Sequence, residues 1–272
     1  MNYQYRDTIL VVAPSAGGKT ESLNIIREIV GRLGLPQEFK PHSDSHTILD
    51  RMYEDDRENH GRGHFHSWVN DKRNGHRHRD YETDKPIPFT LHGNDVAHKF
   101  IFDFFTGLRD LPCTGELRYA ELSGGINTNH FEDPASGTDL SFATYNQMLR
   151  LGRFPKEGLR RVLAVIHPET DEDVRKSLNS SRGQPTPEQI DLGTASWQLD
   201  EGAMKIFGRD DFFALEQLFQ ELGVPHVYTL PNDGGRLLRE GLEFRIPAIL
   251  ESLHDVWDGG EAGRGHSPEY ET

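Results

Sequence analysis

Apolar residues recur along this chain in two rhythms. Short continuous runs, several of them rich in β-branched residues, occupy residues 8–12 (TILVV), 117–122 (LRYAEL), 161–166 (RVLAVI) and 226–230 (HVYTL). Runs of this length bounded by turn residues predict strands, and the most apolar of them predict strands buried on both faces. Between them the spacing becomes helical. Leu23, Ile25, Ile26, Ile29, Val30 and Leu33 recur through residues 20–33 until Gly34 stops the pattern. Residues 94–108 bring Phe100, Phe104 and Phe105 onto one buried face behind Asn94 as N-cap, and residues 142–151, 172–182, 211–222 and 235–253 also read as helices, the third of these capped by Asp210 or Asp211. A second strand is expected at residues 38–41, with a polar turn at 42–45 and a helix to residue 56. Strands alternating with helices predict a mostly parallel five-stranded sheet covered on both faces, a three-layer α/β/α domain.

Two segments break the pattern. From residue 57 to 85 the chain turns to His, Arg, Asp, Asn and Gly with few aliphatics, which predicts an excursion from the core spanning residues 57–90. Residues 256–272 are glycine-rich and acidic with little to bury, so a disordered tail is expected there and the folded domain is expected at 1–255. A chain of 272 residues is within reach of one α/β domain with insertions. The net charge of −14 weakens any general attraction to nucleic-acid phosphates or anionic lipid. Cys113 is the single cysteine, which rules out an internal disulfide framework and a multi-cysteine zinc site. No secretory pattern opens the chain and no window offers about 20 consecutive apolar residues, so a cytoplasmic location without membrane association is expected.

The chemistry begins after the first strand. Ala13-Pro14-Ser15-Ala16-Gly17-Gly18-Lys19-Thr20 fits the Walker A pattern G-x-x-x-x-G-K-[ST] at every defined position except the first, where alanine stands for glycine. Backbone amides must curl around a β-phosphate, small residues must permit the curl, and the following helix must present its N-terminus to the anion. A buried strand before the motif and an amphipathic helix after it supply that context. Ala13, Ser15, Ala16, Gly17, Gly18, Lys19 and Thr20 are therefore expected to bind a nucleoside triphosphate, Lys19 at the β- and γ-phosphates and Thr20 on Mg²⁺.

Three further positions fall near the carboxyl ends of expected strands, where ligands of parallel sheets bind. Glu121 stands where a Walker B acid would hold Mg²⁺ directly or through water, or is a solvated or capping glutamate. Asp44 follows the second strand and either accepts the proton of an attacking hydroxyl or orients it, the rival reading being a helix N-cap at Asp44 or Ser45. Arg175, Lys176 and Arg182 follow the fourth strand and either stabilise a transferring phosphoryl group or form a solvated basic face.

This order of parts resembles that of small P-loop kinases of nucleosides, nucleotides and small metabolites: phosphate loop, acceptor-side acid, metal-side acid, then an arginine-bearing lid. Leu230-Pro231-Asn232-Asp233-Gly234-Gly235 resembles the Asn-x-Gly turn that many of those kinases place beside the adenine base, which implies a cofactor-binding role for Asn232. The resemblance implies an ATP·Mg²⁺-dependent kinase acting on a hydroxyl or phosphate of a small, nucleoside- or nucleotide-like acceptor. Lys19, Asp44, Arg175 and Arg182 would be catalytic, and Thr20 and Glu121 would serve the metal. Such kinases include phage enzymes acting on hydroxymethylated pyrimidines in DNA, an alternative the acidic charge disfavours. A switch ATPase that hydrolyses nucleotide without an acceptor is a second alternative.

Nine of the 14 histidines fall between His42 and His98, including His64-Phe65-His66 and His76-Arg77-His78, which raises a third reading, a histidine metal site beside a regulatory phosphate loop. With no cysteine nearby and nothing fixing the two pairs at a mutual geometry, a polar lid over the acceptor is the expected role, and Trp68 either stacks on a base or anchors it.

Overall fold

The first strand, β1 (Thr8–Ala13), is buried along its whole length, because its side chains alternate between two hydrophobic layers. Ile9 and Val11 face one layer, Leu10 and Val12 the other. The computed structural model describes residues 6–14, 16–38, 43–44, 48, 51–52, 75–79, 86–88, 94–112, 114–125, 141–182, 186–188, 204 and 209–261. After β1 come α1 (Lys19–Arg32), the two-residue β2 (Ser43–Asp44), β3 (Gly75–Arg79), β4 (Pro86–Pro88), α2 (Asn94–Arg109) and β5 (Arg118–Ser123). The chain continues through α3 (Phe142–Arg150), a 3₁₀ segment (Lys156–Arg161), β6 (Val162–Glu169), α4 (Glu172–Ser181), α5 (Phe213–Glu221), β7 (His226–Pro231) and α6 (Arg236–Glu261).

Four strands carry the main sheet in the order β5-β1-β6-β7, all parallel, with β2 paired parallel outside β5. One face is covered by α1 and α6, whose Leu23, Ile26, Val30, Leu238, Leu242 and Ile246 meet Ile9, Val11 and Ile166. The other is covered by α2, α3 and α5, where Phe100, Phe104 and Phe105 are fully buried as the helical spacing predicts. The result is an α/β fold with a parallel sheet between helical layers. β3 and β4 form a separate antiparallel pair.

Several boundaries differ from the sequence expectation. Of the strand expected at residues 38–41, residues 39–41 lie outside the described residues; beside Glu38 an isolated bridge joins Gln37 to Leu117, and the described strand beside β5 is Ser43–Asp44. Asp210 accepts from the Phe212 amide at 3.0 Å near the start of α5, whereas Asp211 turns away from its own helix. Its two carboxylate oxygens accept from the amides of Phe142 and Ala143 at 3.1 and 3.2 Å, capping α3 instead. Helix α6 runs on to Glu261, beyond the apolar repeat that ends at Leu253. His64, His66, Trp68, Cys113 and residues 262–272 lie outside the described residues. Among the described residues no three His, Cys, Asp or Glu side chains gather as a metal site, and no helix is long and apolar enough to cross a membrane.

Candidate active site

Because β1 lies between β5 and β6, its carboxyl end opens where one connection crosses toward β2 and the other toward β7. In open parallel sheets this crevice is where ligands bind. The turn that fills it is built from small residues under tight constraint. The Gly17 amide donates to the Pro14 carbonyl at 3.0 Å, and a Cβ at Gly17 would lie 2.9 Å from both that oxygen and the Ala13 Cβ. Ala16 holds a positive φ of 60°, and Gly18 caps α1 at φ 88°. Left-handed backbone suits glycine and is uncommon for alanine.

Gly18 offers α1 no side-chain cap. The first amides of a helix have no partner inside it and carry the positive end of its dipole, and a terminus of this kind favours negative charge. Lys19 is 6% exposed, and its ammonium donates to the carbonyls of Ala13 and Pro14 at 3.1 and 3.0 Å, underneath the turn. Ser15 lies outside the described residues.

Glu121 lies two residues past Tyr119 on β5, so it shares that residue's face, the α1 side of the sheet, opposite Val11 in register. It is 7% exposed. Two guanidinium groups answer its charge. Burial holds Arg27 below the ordinary arginine value, opposed by Tyr119 and Glu121, and burial lowers Arg182 against the opposing charges of Glu121 and Glu21. Both remain cations, as guanidinium does in proteins. Arg182 also lines an open cleft of about 380 Å³ together with Gly18, Thr20, Glu21 and Leu178. Thr20 and Arg182 thus share the cleft beside the glycine turn, and Glu121 lies within electrostatic reach of Arg182.

The remaining site candidates fall elsewhere. Asp44 pairs through its backbone opposite Glu121, next to the site, and its side chain is outside the described residues. Arg175 is 2% exposed on the inner side of α4, where burial lowers its pKa against the charges of Asp210 and Glu172. It does not line the cleft. Lys176 pairs with Glu172 at 2.8 Å on the solvated face. Asn232 is 5% exposed, and its side chain is turned under the Gly17–Gly18 turn, donating to the Thr170 hydroxyl at 2.9 Å.

Sequence reasoning missed the residues behind the loop. Thr170, one position past β6, donates from its hydroxyl to the Gly17 carbonyl at 3.0 Å. His167 is buried at the end of β6 with Nδ1 2.7 Å from the Val12 carbonyl, Nε2 2.9 Å from Asp210 Oδ2, and its ring stacked on Phe212 at 4.1 Å. The available signal was positional: residues ending the strand beside β1 must face the turn that leaves β1.

No protein-family model matches the chain, and no curated protein does. Among solved structures, shikimate kinase from Acinetobacter baumannii in complex with shikimate is 12% identical, with 92% of this chain and 96% of that one covered and a TM-score of 0.41. Shikimate kinase from Bacteroides thetaiotaomicron is 11% identical, with 90% and 98% covered and a TM-score of 0.35.

Proposed function

We propose that this protein is an ATP-dependent kinase that transfers the γ-phosphate to a hydroxyl or phosphate of a small, nucleoside-like acceptor. One observation carries the reading: a glycine turn at φ 88° opens the uncapped N-terminus of α1 directly above a buried lysine, with Thr20 and Arg182 on the adjoining cleft. Such a cradle suits a polyphosphate, because amide dipoles and a fixed cation are already aimed at the charge.

The residues present fit a magnesium nucleotide. Thr20 would hold Mg²⁺ through its hydroxyl and Glu121 directly or through water, and the ion would neutralise charge on the phosphates. Lys19 would leave the Ala13 and Pro14 carbonyls for the β- and γ-phosphate oxygens. Arg182 meets negative charge building on the transferring group, and the cleft beside it takes the nucleoside end. Asp44 accepts the proton when the acceptor is a hydroxyl, as its oxygen bonds to the γ-phosphorus and the bond to the leaving bridge oxygen breaks. Positioning and charge stabilisation supply most of the rate in such transfers.

The test is transfer of labelled γ-phosphate with Mg²⁺ to a pooled panel of nucleosides, nucleotides, small metabolites and modified DNA. Label is expected on one small acceptor, and Lys19→Ala should cut transfer by about 10² or more, the usual cost of losing one group that stabilises transition-state charge. Phosphate released equally with and without the pool would replace the kinase with a nucleotide hydrolase. Undiminished transfer by Lys19→Ala would remove the loop from the chemistry.

A further inference from the structure

We propose that Thr170 and Asn232 are positioning residues of the phosphate loop, fixing the Gly17–Gly18 peptide so that its amide faces the anion. The proposal rests on the phosphate-loop reading for its consequence, though the clasp itself is a feature of the ligand-free chain. The two residues come from different turns, one position past β6 and one past β7, and they meet beneath the loop. The Asn232 amide donates to the Glu169 carbonyl at 2.8 Å, which joins the two turns. Its side-chain Oδ1 accepts from the Gly234 amide at 3.0 Å, leaving Nδ2 to donate to Thr170 Oγ1 at 2.9 Å. The Thr170 hydroxyl has one proton, and its nearer acceptor is the Gly17 carbonyl at 3.0 Å, against 3.4 Å for Pro168. Thr170 and Asn232 are 6% and 5% exposed. Chains of buried hydrogen bonds of this kind are costly to break, because any member left unpaired keeps its desolvation penalty.

The direction of the last bond has a geometric result. In a trans peptide the C=O and the following N–H point opposite ways. Drawing the Gly17 carbonyl toward Thr170 therefore sends the Gly18 amide the other way, to the side of the turn away from Thr170, at the N-terminus of α1. The Gly17 amide is already turned inward to Pro14. Asn232 also sets the shape of the turn from below: a Cβ at Gly18 would lie 2.4 Å from its Nδ2, so the amide group packs flush against the glycine. Asn232 thus acts on the phosphates through Gly17 and Gly18. The resemblance had assigned it to the base. The same residue links the turn after β7 to the loop after β1, so that movement in one is felt in the other.

The test uses the whole chain and four variants. Thr170→Val keeps the shape and removes the hydroxyl, and Thr170→Ser keeps the hydroxyl. Asn232→Asp replaces the donor with an acceptor, and Asn232→Ala removes the side chain. In the ligand-free protein, Thr170→Val and Asn232→Ala should shift the Gly17 and Gly18 amide resonances and speed hydrogen exchange of the Gly17 amide, and Thr170→Ser should leave both near wild type. Affinity for ATP should fall about threefold to tenfold in Thr170→Val, the worth of one hydrogen bond, with Thr170→Ser restoring it and Asn232→Asp falling at least as far. Adenosine binding should change less than ATP binding. Unchanged Gly17 and Gly18 resonances in Thr170→Val overturn the clasp, and so does a Thr170→Ser variant as impaired as Thr170→Val. If the variants fold poorly, the wild type decides: an Asn232 side-chain amide exchanging as fast as exposed asparagines overturns it, and a protected one supports it. Should the wild type bind no nucleotide while Thr170→Val still moves Gly17 and Gly18, the kinase reading fails and the clasp stands.

Discussion

Asp7 holds together a buried cluster of charges. It is fully buried just before β1 and accepts from Arg161 Nη2 and Nε at 2.5 and 3.3 Å, Arg118 Nη1 at 3.5 Å and the Thr8 hydroxyl at 3.0 Å. Arg118, itself fully buried, also donates to Glu38 at 3.1 Å and to Thr114 at 3.1 Å. The cluster ties together the amino ends of β1, β5 and β6, the opposite end of the sheet from the phosphate loop. Charges taken out of water contribute little net stability as a set, but removing one partner strands the others. Asp7→Ala should therefore lower unfolding free energy by about 3–5 kcal/mol, read from urea denaturation. A loss below about 1 kcal/mol would mean the group behaves as a solvated surface pair. None of this was legible in the sequence. Arg118 interrupts the apolar run of β5 and reads locally as a flaw in a strand, and only the fold brings Asp7 and Arg161 to it.

At the scale of elements, the seam between β7 and α6 has a pH dependence of its own. His226 Nε2 lies 2.8 Å from Ser252 Oγ, which donates its proton to the Ile249 carbonyl at 2.7 Å, so His226 must be the donor there. Its Nδ1 then accepts from the Tyr228 hydroxyl at 3.2 Å, and the Arg245 guanidinium lies 4.6 Å over the Tyr228 ring. Burial lowers the pKa of the ring from the ordinary 6.5. A lowered value in the folded state means that the unfolded chain binds the proton more readily. The seam's stability is thus intact above about 6.5, the unfolded value, and is lost progressively as the pH falls below it toward the folded value. Urea midpoints taken from pH 7.5 to 5.5 should fall in the wild type and fall less in His226→Gln. Equal slopes would show that His226 is not the group responsible. The Asp211 cap makes the same point about distance: a residue that locally reads as the start of its own helix serves another helix 69 positions earlier.

For the whole molecule, the phosphate site and the fold should be linked through mass action. ATP with Mg²⁺ at about 100 times its dissociation constant should raise stability by about 2.7 kcal/mol, seen as a higher melting temperature, with ADP giving less and Lys19→Ala giving little. A melting temperature indifferent to nucleotide would count against the proposed ligand. Elements were readable in the sequence because burial on two faces and helical spacing leave periodic marks, as in TILVV before the glycine turn or Phe100, Phe104 and Phe105 on α2. Strand order left no such mark, since it depends on which strands pair after the chain has crossed the sheet. The glycine turn between β1 and α1 was readable because its residues are contiguous. Thr170 was not, because its partner Gly17 lies 153 residues away in the chain. The position of Lys19 in the ligand-free chain has one more effect. With its ammonium held by the oxygens of Ala13 and Pro14, the loop contains its own rival for the cation. On the proposed function an incoming anion would have to displace two carbonyls, and polyphosphates would be expected to do so more readily than singly charged ions.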